Sequence, residues 1–75
     1  MAIAEGLRRI RENIGATQED VARRTTLTLG TYRRAERGGA VKYSTAQEIL
    51  TALNVLLTEH GREPVTLESL ELTIE

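Results

Sequence analysis

The chain has 75 residues, of which 40% are apolar and 28% charged, with a formal net charge of −1. That length makes one small domain able to hide only about 60% of the surface its unfolded chain exposes, so a fold with a deep catalytic cleft beside it, and hence an enzyme, is not expected. The absence of cysteine excludes disulfides and thiolate metal sites, and no apolar run approaches the ~20 residues of a membrane-spanning helix.

Met1-Ala2-Ile3-Ala4-Glu5 has no charged lead before a long apolar stretch, so it is not expected to be a signal peptide, and the cytoplasm is the expected location. Ile3, Leu7, Ile10 and Ile14 recur at helical spacing and predict a first helix over 3–13, with Gly15 as a left-handed stop. Thr17-Gln-Glu-Asp20 reads as a capping box opening a short second helix over 18–24, which the Thr25-Thr26 pair ends. Leu27 lies in the turn. Thr28 caps a third helix reaching Glu36, and Gly38-Gly39 ends it. Ser44-Thr-Ala-Gln47 reads as a second capping box, opening a fourth helix over 45–60. Ile49, Leu50, Leu53, Leu56 and Leu57 keep one apolar face, which favours an unbroken helix through Asn54; Gly61 and Pro64 close it. Residues 65–69 read as a turn. Leu70, Leu72 and Ile74 alternate with polar residues, the period of a half-buried strand. The rest of the chain reads as helix, so the expected partner of that strand is its own copy in a second subunit, paired antiparallel about a two-fold axis through Leu70, Leu72 and Ile74. An extended tail lying on its own helices is the alternative.

The small net charge hides a division along the chain. Residues 1–43 carry nine basic and five acidic groups, a balance of +4; residues 44–75 carry one basic and six acidic groups, a balance of −5. Nine of the ten basic residues are arginines, whose forked donors suit phosphate and base edges. An anion-binding face is therefore expected on the first part only, with the acidic part turned away from it.

Two short helices joined by a tight turn, the second carrying arginines, form a helix-turn-helix arrangement. Over residues 7–57 the sequence resembles the Cro-like, xenobiotic-response-element type of helix-turn-helix family. The resemblance rests on the run from Leu7 through Arg11, Gly15, Gln18 and Ala22, on Leu27-Thr28 through Glu36 and Gly38, and on Ile49, Leu50 and Leu53. It implies an all-α, four-helix, lambda-repressor-like domain over 1–61. Residues 62–75 are then a short extended segment or strand, the expected dimer contact. It further implies a homodimeric, sequence-specific binder of duplex DNA, most often a repressor, with no cofactor and no metal. Proteins of this fold also serve as antitoxins whose tail grips a toxin, so a second protein is a further candidate partner.

The resemblance assigns roles residue by residue. Gln18, following the cap Thr17, matches a residue that meets a phosphate at the start of the second helix; Arg11 and Glu36 match a structural pair tying helix 1 to the end of helix 3. The recognition helix departs from the usual pattern, since Leu29 and Gly30 stand where polar side chains are common. Leu29 suits a thymine methyl and Gly30 a close approach. Thr28, Thr31, Arg33 and Arg34 are then the polar candidates, with one arginine on a guanine edge and the other on a phosphate. Lys42, Tyr43 and Ser44, with Arg37, are candidates for the sugar-phosphate backbone. Tyr32 and Ala35 invert the usual sizes, which favours a buried ring over a hydroxyl on a phosphate. Arg8, Arg9, Arg23 and Arg24 read as a solvated face, and His60 as a helix-end residue. The departure at Leu29 and Gly30 keeps a second class in view, a protein-interaction module with little affinity for DNA.

Overall fold

The computed structural model describes residues 4–75. Five helices follow one another: α1 (Glu5–Asn13), α2 (Gln18–Arg23), α3 (Leu29–Glu36), α4 (Tyr43–Glu59) and a single turn, α5 (Leu67–Leu70). Leu7, Val21, Tyr32, Ile49, Leu53 and Leu70 are fully buried and bring side chains from all five helices into one core. Ile3, placed by the periodicity on the first turn of α1, lies outside the described residues.

Local chemistry sets most of the boundaries. The Thr17 hydroxyl accepts the Asp20 N–H at 3.0 Å, while the Asp20 carboxylate accepts the Thr17 N–H at 2.8 Å, a complete capping box. Those bonds hold the Asp20 carboxyl below its ordinary pKa. Thr28 caps α3 by accepting the Thr31 N–H at 3.1 Å. Gly15 and Gly38 take positive φ, 70° and 95°, where the chain leaves α1 and α3.

The start of α4 differs from the sequence expectation. No capping box forms at Ser44: the helix begins at Tyr43, its cap is Lys42, and no side chain closes it. Strand-like bonds just upstream set the entry angle instead. The Val41 N–H donates to the Thr73 carbonyl, and the Val41 carbonyl accepts the Glu75 N–H, both at 2.9 Å. Ser44 therefore falls inside the first turn. Further along, α4 runs unbroken through Asn54, whose side chain turns outward to the loop. It donates to the Val65 carbonyl at 3.1 Å and accepts the Val65 N–H at 2.8 Å, pinning the returning chain to the helix.

The tail is the larger correction. Residues 67–70 form a helical turn, and Glu71 closes it in the left-handed conformation at φ 58°. The alternation of Leu70, Leu72 and Ile74 therefore does not describe one strand: Leu70 belongs to α5, and the reversal at Glu71 separates it from the extended end. Leu70 is fully buried in its own chain, which removes it from the dimer contact expected of it. The extended end makes one parallel bridge, Ile74 to Val41 of the same chain. Leu72 is half-buried and Ile74 39% exposed. α5 packs on α1 and α4. The Glu71 carboxylate accepts the Gly6 N–H at the start of α1, at 3.1 Å. A Cβ on Gly6 would stand 1.9 Å from the Ser69 carbonyl oxygen, so only glycine permits this approach.

Candidate nucleic-acid interface

α2 and α3 pack against each other, and Val21 and Ala22 on one helix and Tyr32 and Ala35 on the other are all buried. Tyr32, Ala35 and Glu36 form the buried stripe of α3. At about 100° per residue, Gly30, Arg34 and Arg37 lie on the opposite side, and Arg33 and Thr31 lie on its two flanks. All five are exposed.

A buried ion pair fixes the far end of this helix. Glu36 Oε2 accepts Arg11 Nε at 2.9 Å and the Tyr32 hydroxyl at 2.8 Å, while Oε1 accepts Arg11 Nη2 at 2.8 Å and Gln18 Nε2 at 3.0 Å. Arg11 also donates through Nη1 to the Ala16 carbonyl at 2.9 Å. One guanidinium thus joins α1, the loop before α2 and the end of α3. Burial pushes the Glu36 carboxyl up, but the bonds from Arg11, Tyr32 and Gln18 together hold it below its ordinary value. The bond to Glu36 raises the Arg11 pKa in turn. Burial, then the bond to Glu36, raises the Tyr32 hydroxyl far above its usual range. The large ring beside the small Ala35 therefore fills core volume and brings a donor to the carboxylate. An open cleft of about 380 Å³ lies over this network, with Arg8, Gln18 and Arg37 on its walls.

Charge is distributed unevenly over the arginines. Arg8 pairs with Glu12, Arg9 with Glu5 and Arg24 with Glu59, the last through two bonds at 2.9 and 3.0 Å. Such exposed pairs contribute roughly 0–1 kcal/mol each, but they cancel local charge. Among the described residues, Arg23, Arg33, Arg34, Arg37, Lys42 and Arg62 make no ion pair, and four of these six fall between residues 33 and 42. Uncompensated positive charge accordingly concentrates on α3 and the approach to α4.

The structure places the remaining candidates around that helix. Thr17 and Thr28 are caps with occupied hydroxyls, and Thr28 also donates to the Thr31 hydroxyl at 3.0 Å. Leu29 is half-buried and packs on the core; Gly30 is open, and a Cβ there would meet only the Thr28 hydroxyl at 4.0 Å. Arg34 lies along Gly39, where an added Cβ would stand 2.6 Å from Arg34 Cγ. Thr31, Arg34, Lys42 and Thr45 line a second cleft of about 310 Å³, joined by Glu75 at its rim. Lys42, Tyr43 and Ser44 are all exposed; Tyr43 receives a hydrogen bond from Gln47 and is 59% exposed. Gln18 spans two elements: its NH2 donates to Glu36 and its Oε1 accepts Arg33 Nε at 3.2 Å.

Three participants escape a reading of the sequence. The Tyr32 hydroxyl was signalled only by its spacing of four from Glu36. The Gln18–Arg33 bond depends on the crossing of two helices. Glu75 reaches the cleft only because the tail pairs with Val41, for which no local pattern exists. Among the described residues no helix is long and apolar enough to cross a membrane, and no group of acidic or histidine side chains could hold a metal ion.

A family model described as helix-turn-helix matches residues 7–60, most of the chain. No curated protein and no solved structure matches it.

Proposed function

Since the chain belongs to the Cro-like, xenobiotic-response-element type of helix-turn-helix family, a family of DNA-binding regulators, we propose that it is a sequence-specific repressor of transcription acting as a homodimer in the cytoplasm. The observation that carries this reading is the outer side of α3. Arg34 and Arg37 stand exposed there beside an open Gly30, with Arg33 on the flank, and none of the three has a carboxylate partner. A helix with that outer side fits the major groove, and an arginine there can take the two acceptors of a guanine edge. Lys42, Tyr43 and Ser44, with Thr17, Thr28, Thr31 and Arg37, flank the helix where a DNA backbone would run. Of the acidic second part, Glu59 pairs with Arg24 and Glu75 borders the cleft beside Arg34 and Lys42; in this reading the other carboxylates meet solvent or the partner subunit.

In this reading residues 1–61 contact DNA and residues 62–75 contribute to the dimer. Leu70 anchors the tail inside its own chain, leaving Leu72 and Ile74 as the apolar side chains of the extended end for a second copy. A two-fold dimer presents its recognition helices about 34 Å apart.

Selection from random duplexes at near-physiological salt, followed by sequencing, tests the proposal. The expected outcome is an enriched palindrome with half-sites about ten base pairs apart. If folded protein enriches nothing, the DNA reading fails and a protein-interaction module replaces it. The half-buried Leu29 in place of a polar side chain is the observation favouring that second reading.

A further inference from the structure

The geometry points to unlike roles for the two adjacent arginines: Arg33 is a phosphate clamp positioned by Gln18, and Arg34 reads the base. This rests on the DNA reading above and goes beyond it by separating backbone contact from sequence contact.

Glu36 fixes the orientation of Gln18. Each of the Glu36 oxygens already accepts two hydrogen bonds, one of them from the Gln18 NH2. That bond fixes which way the Gln18 amide faces: the donor end points into the buried network and the carbonyl end points out. An outward carbonyl repels a phosphate oxygen, so Gln18 is poorly suited to contact the backbone through Oε1. It does accept Arg33 Nε at 3.2 Å. The Arg33 guanidinium is thereby held at the seam between α2 and α3, with its remaining N–H groups free for an anion.

The two arginines also differ in their position around α3. Arg33 lies about a quarter-turn from the buried Tyr32, on the flank that faces α2. When the outer line of a helix enters the major groove, its flanks face the groove walls, which are phosphate backbones. Arg34 lies on the outer line itself, one turn after Gly30, and no side chain among the described residues hydrogen-bonds to it. Gly30 adds no bulk to that line, so Arg34 can approach the base edges. The Arg34 side chain lies along Gly39, where an added Cβ would stand 2.6 Å from its Cγ and 3.1 Å from its Nε, so the glycine leaves room for it.

The test titrates the full chain on its selected duplex and on single-base variants of that duplex, between 50 and 200 mM salt. Arg33→Ala should weaken all duplexes by one common factor and reduce the slope of log affinity against log salt by about one. Gln18→Ala should reproduce that pattern more weakly, and the double variant should lose no more than Arg33→Ala alone. Arg33→Lys should restore the salt slope but only part of the affinity, since a lysine keeps the charge and loses the Nε donor held by Gln18. Arg34→Ala should abolish preference at one position, a loss of about 5- to 150-fold in discrimination. Arg33 and Arg34 are exposed, so their variants keep the fold; Gln18→Ala also removes a donor to Glu36, and circular dichroism and urea denaturation establish that it and the double variant are folded under the binding conditions. The assignment is overturned if Arg33→Ala relaxes base preference or leaves the salt slope intact, or if Gln18→Ala adds fully to Arg33→Ala. Wild-type protein that binds no duplex overturns the DNA reading and this assignment together; wild-type protein that binds leaves the variants to decide the assignment alone.

Discussion

The Tyr32 hydroxyl donates to Glu36 Oε2 at 2.8 Å from one turn earlier on the same helix, inside the core. Tyr32 is the largest fully buried side chain, and the bond makes it a member of the ion-pair network as well. A buried carboxylate needs its lone pairs occupied, because one left without a donor keeps its desolvation cost. Arg11 alone cannot occupy all four sites of Glu36; Tyr32 and Gln18 complete the set.

Tyr32→Phe isolates that hydroxyl, since the ring and its packing stay. The expected loss is about 1–3 kcal/mol of unfolding free energy, the range for a hydrogen bond to a buried charged acceptor. Urea denaturation at neutral pH measures it, with an unchanged slope showing that the unfolded state is the same. A loss of only a few tenths would mean that water replaces the hydroxyl and that the ring alone explains the residue.

The network also predicts an acid limit to stability. The Glu36 carboxyl titrates below its ordinary value in the folded chain, so the folded state refuses a proton that the unfolded chain accepts. Its contribution is complete at neutral pH and is lost as the pH falls below about 4. Asp20 and Glu48, held low by bonds to Thr17 and to the Thr26 N–H, change stability in the same direction. Removing the Tyr32 donor takes away one of the bonds that lower Glu36. The acid-unfolding midpoint of Tyr32→Phe should therefore move to higher pH, as followed by circular dichroism. A midpoint that stays put or moves lower would show that the hydroxyl does not hold the carboxylate in its charged form.

The parts of this fold visible in the sequence are those written in local chemistry. Leu7, Ile10 and Ile14 mark α1, Thr17 and Asp20 open α2, Thr28 opens α3, and the apolar line from Ile49 to Leu57 carries α4 past Asn54. What stayed hidden depends on contacts between distant segments. Ser44 has the residue pattern of a cap, yet Val41, bonded to the tail, fixes where α4 begins. Leu70 fits a strand by alternation, yet it buries itself against α1 and α4 as part of a helical turn. At the candidate site, the residue types marked α3 as the exposed basic helix, but Gln18 and Arg33 meet only through the crossing of α2 and α3.

Gly30 sets stability against recognition. It sits inside α3, where glycine costs about 0.5–1 kcal/mol relative to alanine, and a Cβ there has open space. Gly30→Ala should raise the thermal midpoint, because it lowers the entropy of the unfolded chain without strain. If the outer line of α3 approaches the bases closely, the same methyl group should weaken binding of the selected duplex. A variant that is more stable and binds unchanged would place Gly30 away from the point of closest approach.

Glu75 opposes the face it borders. It lines the same cleft as Thr31, Arg34 and Lys42, and the bond from its N–H to the Val41 carbonyl holds the chain there. A phosphate entering that cleft would meet this negative charge. The interaction crosses solvent, so it is weak at physiological salt and stronger at low salt. Glu75→Gln removes the charge and keeps the backbone pairing. At 50 mM salt it should strengthen binding of every duplex alike by about 2- to 10-fold, with the gain shrinking as salt rises. Glu75→Lys should go further and steepen the salt dependence by about one phosphate contact. Equal affinities for all three chains at low salt would place the DNA backbone elsewhere than this cleft. A gain confined to one base position would instead mean that the tail bears on Arg34 and the base it reads, not on a phosphate.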